Sequence, residues 1–341
     1  MGHTIRDVAR EAAVSVASVS RVLNGTARVN PDTRARIMAV AERLGYVPHA
    51  GARSLSIART HAIGVVLPDL HGEFFSELVR GMDREASRRG LQLLLSNMHA
   101  DVEQASHALR AMRGRVDGLV IMAPHLDSVT LLKALPRTTP AVLINCRAED
   151  DGHPALRLDN AAGVEAMVRH LVDGGRCDIV HIAGPEGNLD ADERAAAFSA
   201  AMARLAPGRE IQIIPGDFSE EAGEAAAHQI LARARPVDAI FAANDMMAIG
   251  CLMALREAGI DVPGRIAVAG FDDVPVARYL ALTTMRVRMA EIGAQAIARL
   301  AASMDQRPTE ASVALHTPEL IVRATTALPR NQTNSAGERN T

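Results

Sequence analysis

The side chains best equipped for chemistry are unevenly placed along this chain. Arg6, Arg10, Arg21, Arg28, Arg34, Arg36, Arg43, Arg53 and Arg59 stand against only four acids, Asp7, Glu11, Asp32 and Glu42, in the first 60 residues. That stretch therefore carries +5, and the remaining 281 residues carry −8 of a chain whose formal charge is −3. A basic head on an acidic body is the pattern of a small unit that meets an anionic polymer. Covalent chemistry finds little support. Asp272-Asp273 is a carboxylate pair, but no partner acid, base or metal cluster is identifiable for it. Cys146, Cys177 and Cys251 are odd in number, widely spaced and set beside strand or helix patterns, so they read as buried free thiols. There is no G-x-x-x-x-G-K-[ST], no G-x-G-x-x-G after a strand, no G-x-S-x-G, no H-E-x-x-H and no Cys pair at metal spacing. Neither catalysis nor a cofactor nor a metal is expected.

The arginine-rich stretch needs short helices to hold it. Thr4, with Asp7 three residues on, is a capping-box-like start, and Ile5, Val8, Ala9 and Ala12 follow at helical spacing. Ser15 caps a second helix whose inward stripe is Val19, Val22 and Leu23 and whose stop is Asn24-Gly25. Asn30-Pro31 opens a third, with Ile37, Val40, Ala41 and Leu44 as its stripe and Gly45 beyond its end. Three short helices with a tight turn between the first two make a helix-turn-helix. The segment "HAGARSLSIART" after Pro48 has helical potential but no stripe broad enough to fold alone, and it reads as a linker.

Beyond it the rhythm changes. The length leaves room for two or three domains, and 48% hydrophobic content is that of an ordinary globular chain. Short apolar runs at 62–67, 91–96, 118–122, 140–145, 178–183, 211–214, 238–242 and 265–269 read as strands, separated by amphipathic helices such as 75–89, with Phe75, Leu78, Val79 and Met82 on one face. That alternation means parallel sheets covered by helices, and about ten strands fit two doubly wound lobes, with a first crossing near Asp159-Asn160. No apolar run reaches the ~18 residues of a membrane span, and the N-terminus lacks a signal-peptide pattern, so a cytoplasmic protein is expected. A secreted binding protein would share the lobes but not the head. The tail "RNQTNSAGERNT" is polar, lacks a stripe and reads as disordered.

Five segments in order, "TIRDVAREAAVSVASVSRVLNG", "RVNPDTRARIMAVAERLGYVPHAGARSL", "IGVVLPD...EFF", "ANDMMAIG" and "VAGFDD", resemble the lactose/galactose repressor family of bacterial transcriptional regulators from Thr4 to about Ala327. The resemblance implies an all-α helix-turn-helix head (residues 1–47), a hinge helix (48–60), a two-lobed α/β effector and dimerisation domain like the periplasmic binding proteins (61–328), and the tail (329–341). It also implies a repressor that reads a pseudo-palindromic operator as a homodimer, touches no membrane, and is controlled by a small molecule between its lobes. Dependence on a corepressor or a protein partner is the alternative within the family.

In that resemblance the N-terminal end of the second helix enters the major groove, and Val16 and Ala17 choose the operator. Ser20 and Arg21 also lie off the apolar stripe; apolar side chains can meet thymine methyls, and Arg21 can fork onto a guanine. Thr4, Ser15, Asn24, Arg28 and Ala52 complete the implied DNA contacts, and Leu55 matches the leucine that wedges into the minor groove. Two departures stand out: Gly51 lies inside the hinge helix, weakening it by about 1 kcal/mol relative to Ala, and Ala13 replaces the usual turn glycine. For the effector, Phe75 and Phe218 fall where the family stacks an apolar ring, and Arg194, Asn244, Asp245 and Asp272 where it places polar contacts, with Asp69 a further candidate. Carboxylate, amide and guanidinium beside a flat ring suit a polyhydroxylated ligand. Val287 stands where many relatives carry a polar residue, and Asn188 and Asp190 replace the pattern of purine-responsive members; these changes speak against a nucleobase without naming a sugar, and the expected effector is a sugar or sugar derivative.

Overall fold

Each of the first three helices begins at a side chain that answers backbone groups the helix leaves open. Asp7 accepts from the Thr4 N–H (2.9 Å) and the Thr4 hydroxyl (2.8 Å) at the start of α1 (Ile5–Glu11). Those two bonds hold the Asp7 carboxyl below the usual carboxylate range. Ser15 Oγ accepts from the Ser18 N–H (3.1 Å) ahead of α2 (Val16–Asn24), and Asn30 Oδ1 accepts from the Asp32 N–H (3.0 Å) ahead of α3 (Pro31–Arg43). Their stripes meet in a core that includes Val8, Ala12, Val19, Val22, Ile37 and Val40. Ala13 turns the chain between α1 and α2 with φ +51°, in the left-handed region where a Cβ is disfavoured.

The computed structural model describes residues 3–24, 29–46, 59–70, 72–98, 101–126, 139–147, 153–233, 235–305 and 313–327. Arg28, residues 48–58 of the hinge with Gly51, Ala52 and Leu55, and the polar tail lie outside them. Two compact units emerge, residues 1–62 with 112–117, and 63–111 with 118–341. Within the first, the Asp117 carboxylate gathers the Thr60 N–H (2.6 Å), the Thr60 hydroxyl (2.9 Å) and the His61 N–H (2.8 Å).

The second unit is built on two principal sheets. One joins β1 (Ala62–Leu67), β2 (Gln92–Asn97), β3 (Gly118–Met122), β4 (Ala141–Ile144), β5 (Ala155–Leu158) and β11 (Val313–His316) in the order β11-β5-β4-β3-β1-β2. The other joins β6 (Ile179–Ile182), β7 (Gln212–Ile214), β8 (Ala239–Ala242) and β9 (Ala267–Ala269) in the order β7-β6-β8-β9, with parallel pairing throughout. Strands β3, β4, β6 and β8 are buried from end to end, which explains why they read as uninterrupted apolar runs. A two-stranded antiparallel ribbon pairs β10 (Thr284–Arg286) with β12 (Glu319–Ile321). Strands β5, β10, β11 and β12 were not among the expected runs. They are three or four residues long, and β11 alternates exposed with half-buried positions, so they take their identity from partners distant in sequence.

The chain leaves the first sheet after β5, where Asp159 Oδ1 accepts from the Ala162 N–H (3.0 Å) to cap α6 (Asn160–Asp173). It returns after β10 into α11 (Met289–Met304), which packs on α4 (Glu73–Arg88). Their backbones nearly touch. A Cβ on Gly81 would lie 1.9 Å from the Ala290 carbonyl oxygen, and one on Gly293 2.2 Å from that of Leu78. The remaining helices among the described residues are α5 (Val102–Met112), α7 (Leu189–Leu205), α8 (Glu220–Ala232), α9 (Asp245–Glu257) and α10 (Pro275–Tyr279).

Candidate functional site

Two surfaces gather the residues singled out in the sequence. On the head, Val19 and Val22 are buried while Val16 is 42% exposed and Ala17 and Arg21 are exposed beside it. Ser20 is half-buried, and Thr4 is exposed while engaged with Asp7. Helix α2 thus points its stripe inward and presents Val16, Ala17 and Arg21 outward, as a groove-reading helix must.

The second surface is a cavity of about 440 Å³, within the range of small-ligand pockets. It lies where parallel strands of both sheets end, the usual ligand crevice of doubly wound folds. Pro68 and Asp69 follow β1, Pro124 and His125 follow β3, Pro185 and Asn188 follow β6, Asp217 and Phe218 follow β7, Asn244 follows β8, and Asp272 follows β9. Phe74 and Phe75, from α4, line it with their rings edge to face at 5.2 Å. Phe218 stands at φ +75°, and its ring lies so close to Gly184 that a Cβ there would fall 2.4 Å from it. Backbone strain at a bulky residue marks a ring whose position is imposed by its surroundings.

Arg194 is the organising cation. It is 3% exposed; its Nε donates to Asn160 Oδ1 (2.8 Å), its Nη1 to the Ala243 carbonyl (2.5 Å), and its guanidinium carbon sits 3.8 Å from the centre of the Phe271 ring. Its Nη2 stands 3.7 Å from Asp272 Oδ1, beyond hydrogen-bond reach. Among the described residues that buried oxygen has no hydrogen-bond partner. Burial pushes the Asp272 carboxyl up to about 7 against the pull of Arg194. Asp190 is held by amides, its Oδ1 accepting from Asn160 Nδ2 (2.9 Å) and its Oδ2 from Asn145 Nδ2 (3.0 Å). Asn188 caps α7 through the Asp190 N–H (3.0 Å), and its amide meets His125 Nε2 at 3.3 Å. Burial draws the His125 ring below its usual pKa, against the charges of Asp192 and Asp190.

Asp69, Phe75, Arg194, Phe218, Asn244 and Asp272 all line the cavity. Asn244 also caps α9, its Oδ1 accepting from the Met247 N–H (3.0 Å) while its Nδ2 donates to the Phe218 carbonyl (2.9 Å). Asp245 does not line the cavity. It is wholly buried, its Oδ2 accepting from the Val274 N–H (2.9 Å) and its Oδ1 from the Thr284 hydroxyl (2.6 Å), because the first residue after the Asn244 cap turns into the core. Its carboxyl is raised well above the ordinary range by burial first and by the Asp272 charge second. His125, Asp217, Glu220 and Phe74 line the cavity without having been anticipated; the signal available for the first two was their place just after a strand run.

The arrangement offers flat rings beside acceptors and one guanidinium, which suits binding of a ring with hydroxyl groups. Cys146 and Cys251 are buried and Cys177 is half-buried, and none lines the cavity. Among the described residues no group of three or more His, Cys, Asp or Glu could hold a metal, and no helix is long and apolar enough to cross a membrane.

A family model described as bacterial regulatory proteins, lacI family, matches residues 4–49, and one described as a periplasmic binding protein-like domain matches residues 168–326. The transcriptional regulator GalS of Salmonella typhimurium is 36% identical over 293 residues, covering 85% of this chain and 86% of its own. The ribose operon repressor of Escherichia coli is 36% identical over 304 residues, covering 86% and 91%. The crystal structure of the lac repressor dimer bound to operator and an anti-inducer superposes with a TM-score of 0.87 at 27% identity, covering 96% of this chain and 100% of that one. With a helix-turn-helix head and a two-lobed ligand fold on one polypeptide, and with relatives that span most of it, the chain belongs to the lacI family of bacterial regulatory proteins.

Proposed function

We propose that this chain is a sequence-specific transcriptional repressor, acting in the cytoplasm as a homodimer on a pseudo-palindromic operator and released by a sugar or sugar derivative bound in its cleft. The observation that carries this reading is the joining, in one chain, of an outward helix face of Val16, Ala17 and Arg21 to a cavity of rings and acceptors. Residues 1–47 read DNA, 48–60 form the hinge with Leu55 as wedge, and 61–328 bind ligand and partner. Phe75 and Phe218 cover the ligand's C–H face, and Arg194, Asn244, Asp272 and Asp69 take its hydroxyls. Relatives named as transcriptional regulators, and a neighbour solved as an operator-bound dimer, support the assignment.

A ligand shifts the DNA-binding equilibrium only by its differential affinity for the two lobe arrangements. Release means that the ligand prefers the arrangement in which the heads no longer fit the operator. The test has two stages. Selection of bound sequences with the purified protein yields an operator, and exchange of Val16 and Ala17 for other pairs should change the sequence selected. A thermal-shift screen of sugars then names a ligand, which at 100 times its Kd adds about 2.7 kcal/mol of stability. Saturating that ligand should weaken operator binding in an anisotropy titration; unchanged or tighter binding refutes release.

A further inference from the structure

The cavity wall is acidic and aromatic. Asp69, Asp190, Asp217, Glu220 and Asp272 line it, and Arg194 is the one arginine or lysine among its described lining residues. Asn160 and the Ala243 carbonyl take two of that guanidinium's five N–H donors, and the group rests against the Phe271 ring with its Nη2 3.7 Å from Asp272 Oδ1. Asp190 accepts from the neutral amides of Asn160 and Asn145. Burial favours the neutral form of the His125 ring.

A cluster of acids can be no more than a solvated surface, but two of its members, Asp190 and Asp272, are buried. Asp272 is 5% exposed and lines the cavity, and its Oδ1, 3.7 Å from Arg194 Nη2, lacks a hydrogen-bond partner among the described residues. A buried carboxylate oxygen left open in this way calls for a donor, and a charged donor satisfies it best. The rings of Phe74, Phe75 and Phe218 add faces whose quadrupoles also attract a cation. A phosphate or carboxylate would enter against four or five negative charges in a partly desolvated site.

We infer that the ligand of this cleft is a polyhydroxylated molecule carrying a basic nitrogen, an amine-bearing sugar, whose ammonium group is received by Asp272. The inference rests on the reading that the cleft binds a polyhydroxylated effector, and it names that effector's charge.

The test is titration calorimetry on the full-length protein with sets of one ring stereochemistry: glucose, glucosamine, N-acetylglucosamine and glucose 6-phosphate, and the corresponding galactose and mannose sets. In one set the free amine should bind at least tenfold more tightly than the parent sugar, the N-acetyl form should lose that gain, and the 6-phosphate should not bind. The Asp272→Asn protein should bring amine and parent sugar within about threefold of each other. A parent sugar or a 6-phosphate that binds most tightly overturns the inference while leaving a sugar effector in place. An amine advantage that survives both N-acetylation and Asp272→Asn overturns it as well. Silence from every member of every set counts against the sugar effector itself, and the inference falls with it.

Discussion

Asp272 makes a quantitative prediction about stability and pH. Its carboxyl ionises near 3.8 in an unfolded chain and near 7 in the folded one, because burial removes water from the charge faster than Arg194 restores the loss. Between those values the folded protein holds a proton that the unfolded chain has released, so stability falls as pH rises through the window. The whole displacement amounts to about 4 kcal/mol, of which roughly 3 kcal/mol accrues between pH 5 and pH 8. Asp272→Asn keeps the size and an acceptor but removes the titration. The groups facing it are Arg194, Asp190 and Asp245, and the first two are already counted in the value near 7. Asp245, raised in part by the Asp272 charge, relaxes in the variant and adds to the effect in the same direction. For a unit of this size ~1 kcal/mol moves Tm by about 2 °C. The difference in Tm, variant minus wild type, should therefore grow by about 6 °C from pH 5 to pH 8 in thermal melts at constant ionic strength. A difference that stays flat, or shrinks as pH rises, would mean that Asp272 ionises normally and that its Oδ1 is solvated.

Three further outcomes follow from local geometry. Ala13→Gly relieves a left-handed alanine at a cost in chain entropy, for a net gain of about 0.5–1 kcal/mol in the head; amide exchange in α1 and α2 should slow, and unchanged exchange would show the turn to be unstrained. Gly81→Ala drives a Cβ into the Ala290 carbonyl and should cost about 3 kcal/mol in thermal stability, with a silent substitution showing that α4 and α11 separate freely. His181 is wholly buried between Phe198 and Phe241, with its Nδ1 2.8 Å from the Phe241 carbonyl, and burial draws it down to about 4. Its share of stability is therefore complete above pH 6.5 and lost as pH falls toward 4, by about 3 kcal/mol; His181→Leu should flatten that acid-side loss in urea midpoints, and an unaltered slope would assign the loss to other groups.

What was legible in the sequence divides along the reach of the interactions involved. Thr4 with Asp7, Ser15 with Ser18 and Asn30 with Asp32 meet within three residues of each other, so the head's helices could be read from composition alone. Strands β3, β4, β6 and β8 were equally plain, since a strand buried on both faces has to be apolar throughout. Strand β5 reads Ala-Leu-Arg-Leu and is a strand only because β4 and β11 flank it. No local signal carries that information.

The same limit governs the site, where adjacent residues part company. Asn244 lines the cavity and Asp245 is sealed beneath it; Asp272 faces the cavity and Asp273 is held by Arg286 (2.7 Å) and Arg323 (2.6 Å). In the second pair the divergence comes from the backbone, since Asp272 and Asp273 both take positive φ, +115° and +56°, and neither value can be inferred from an Asp-Asp dipeptide. The charge of the cavity is further still from the sequence. Asp69, Asp190, Asp217 with Glu220, and Asp272 come from four separate stretches of a chain whose net charge is only −3, and each alone is an ordinary acid near a strand or helix end. Their sum becomes a property of one place only because the parallel strands of both sheets end there, so the topology, which the apolar runs did disclose, decides which charges a ligand must answer.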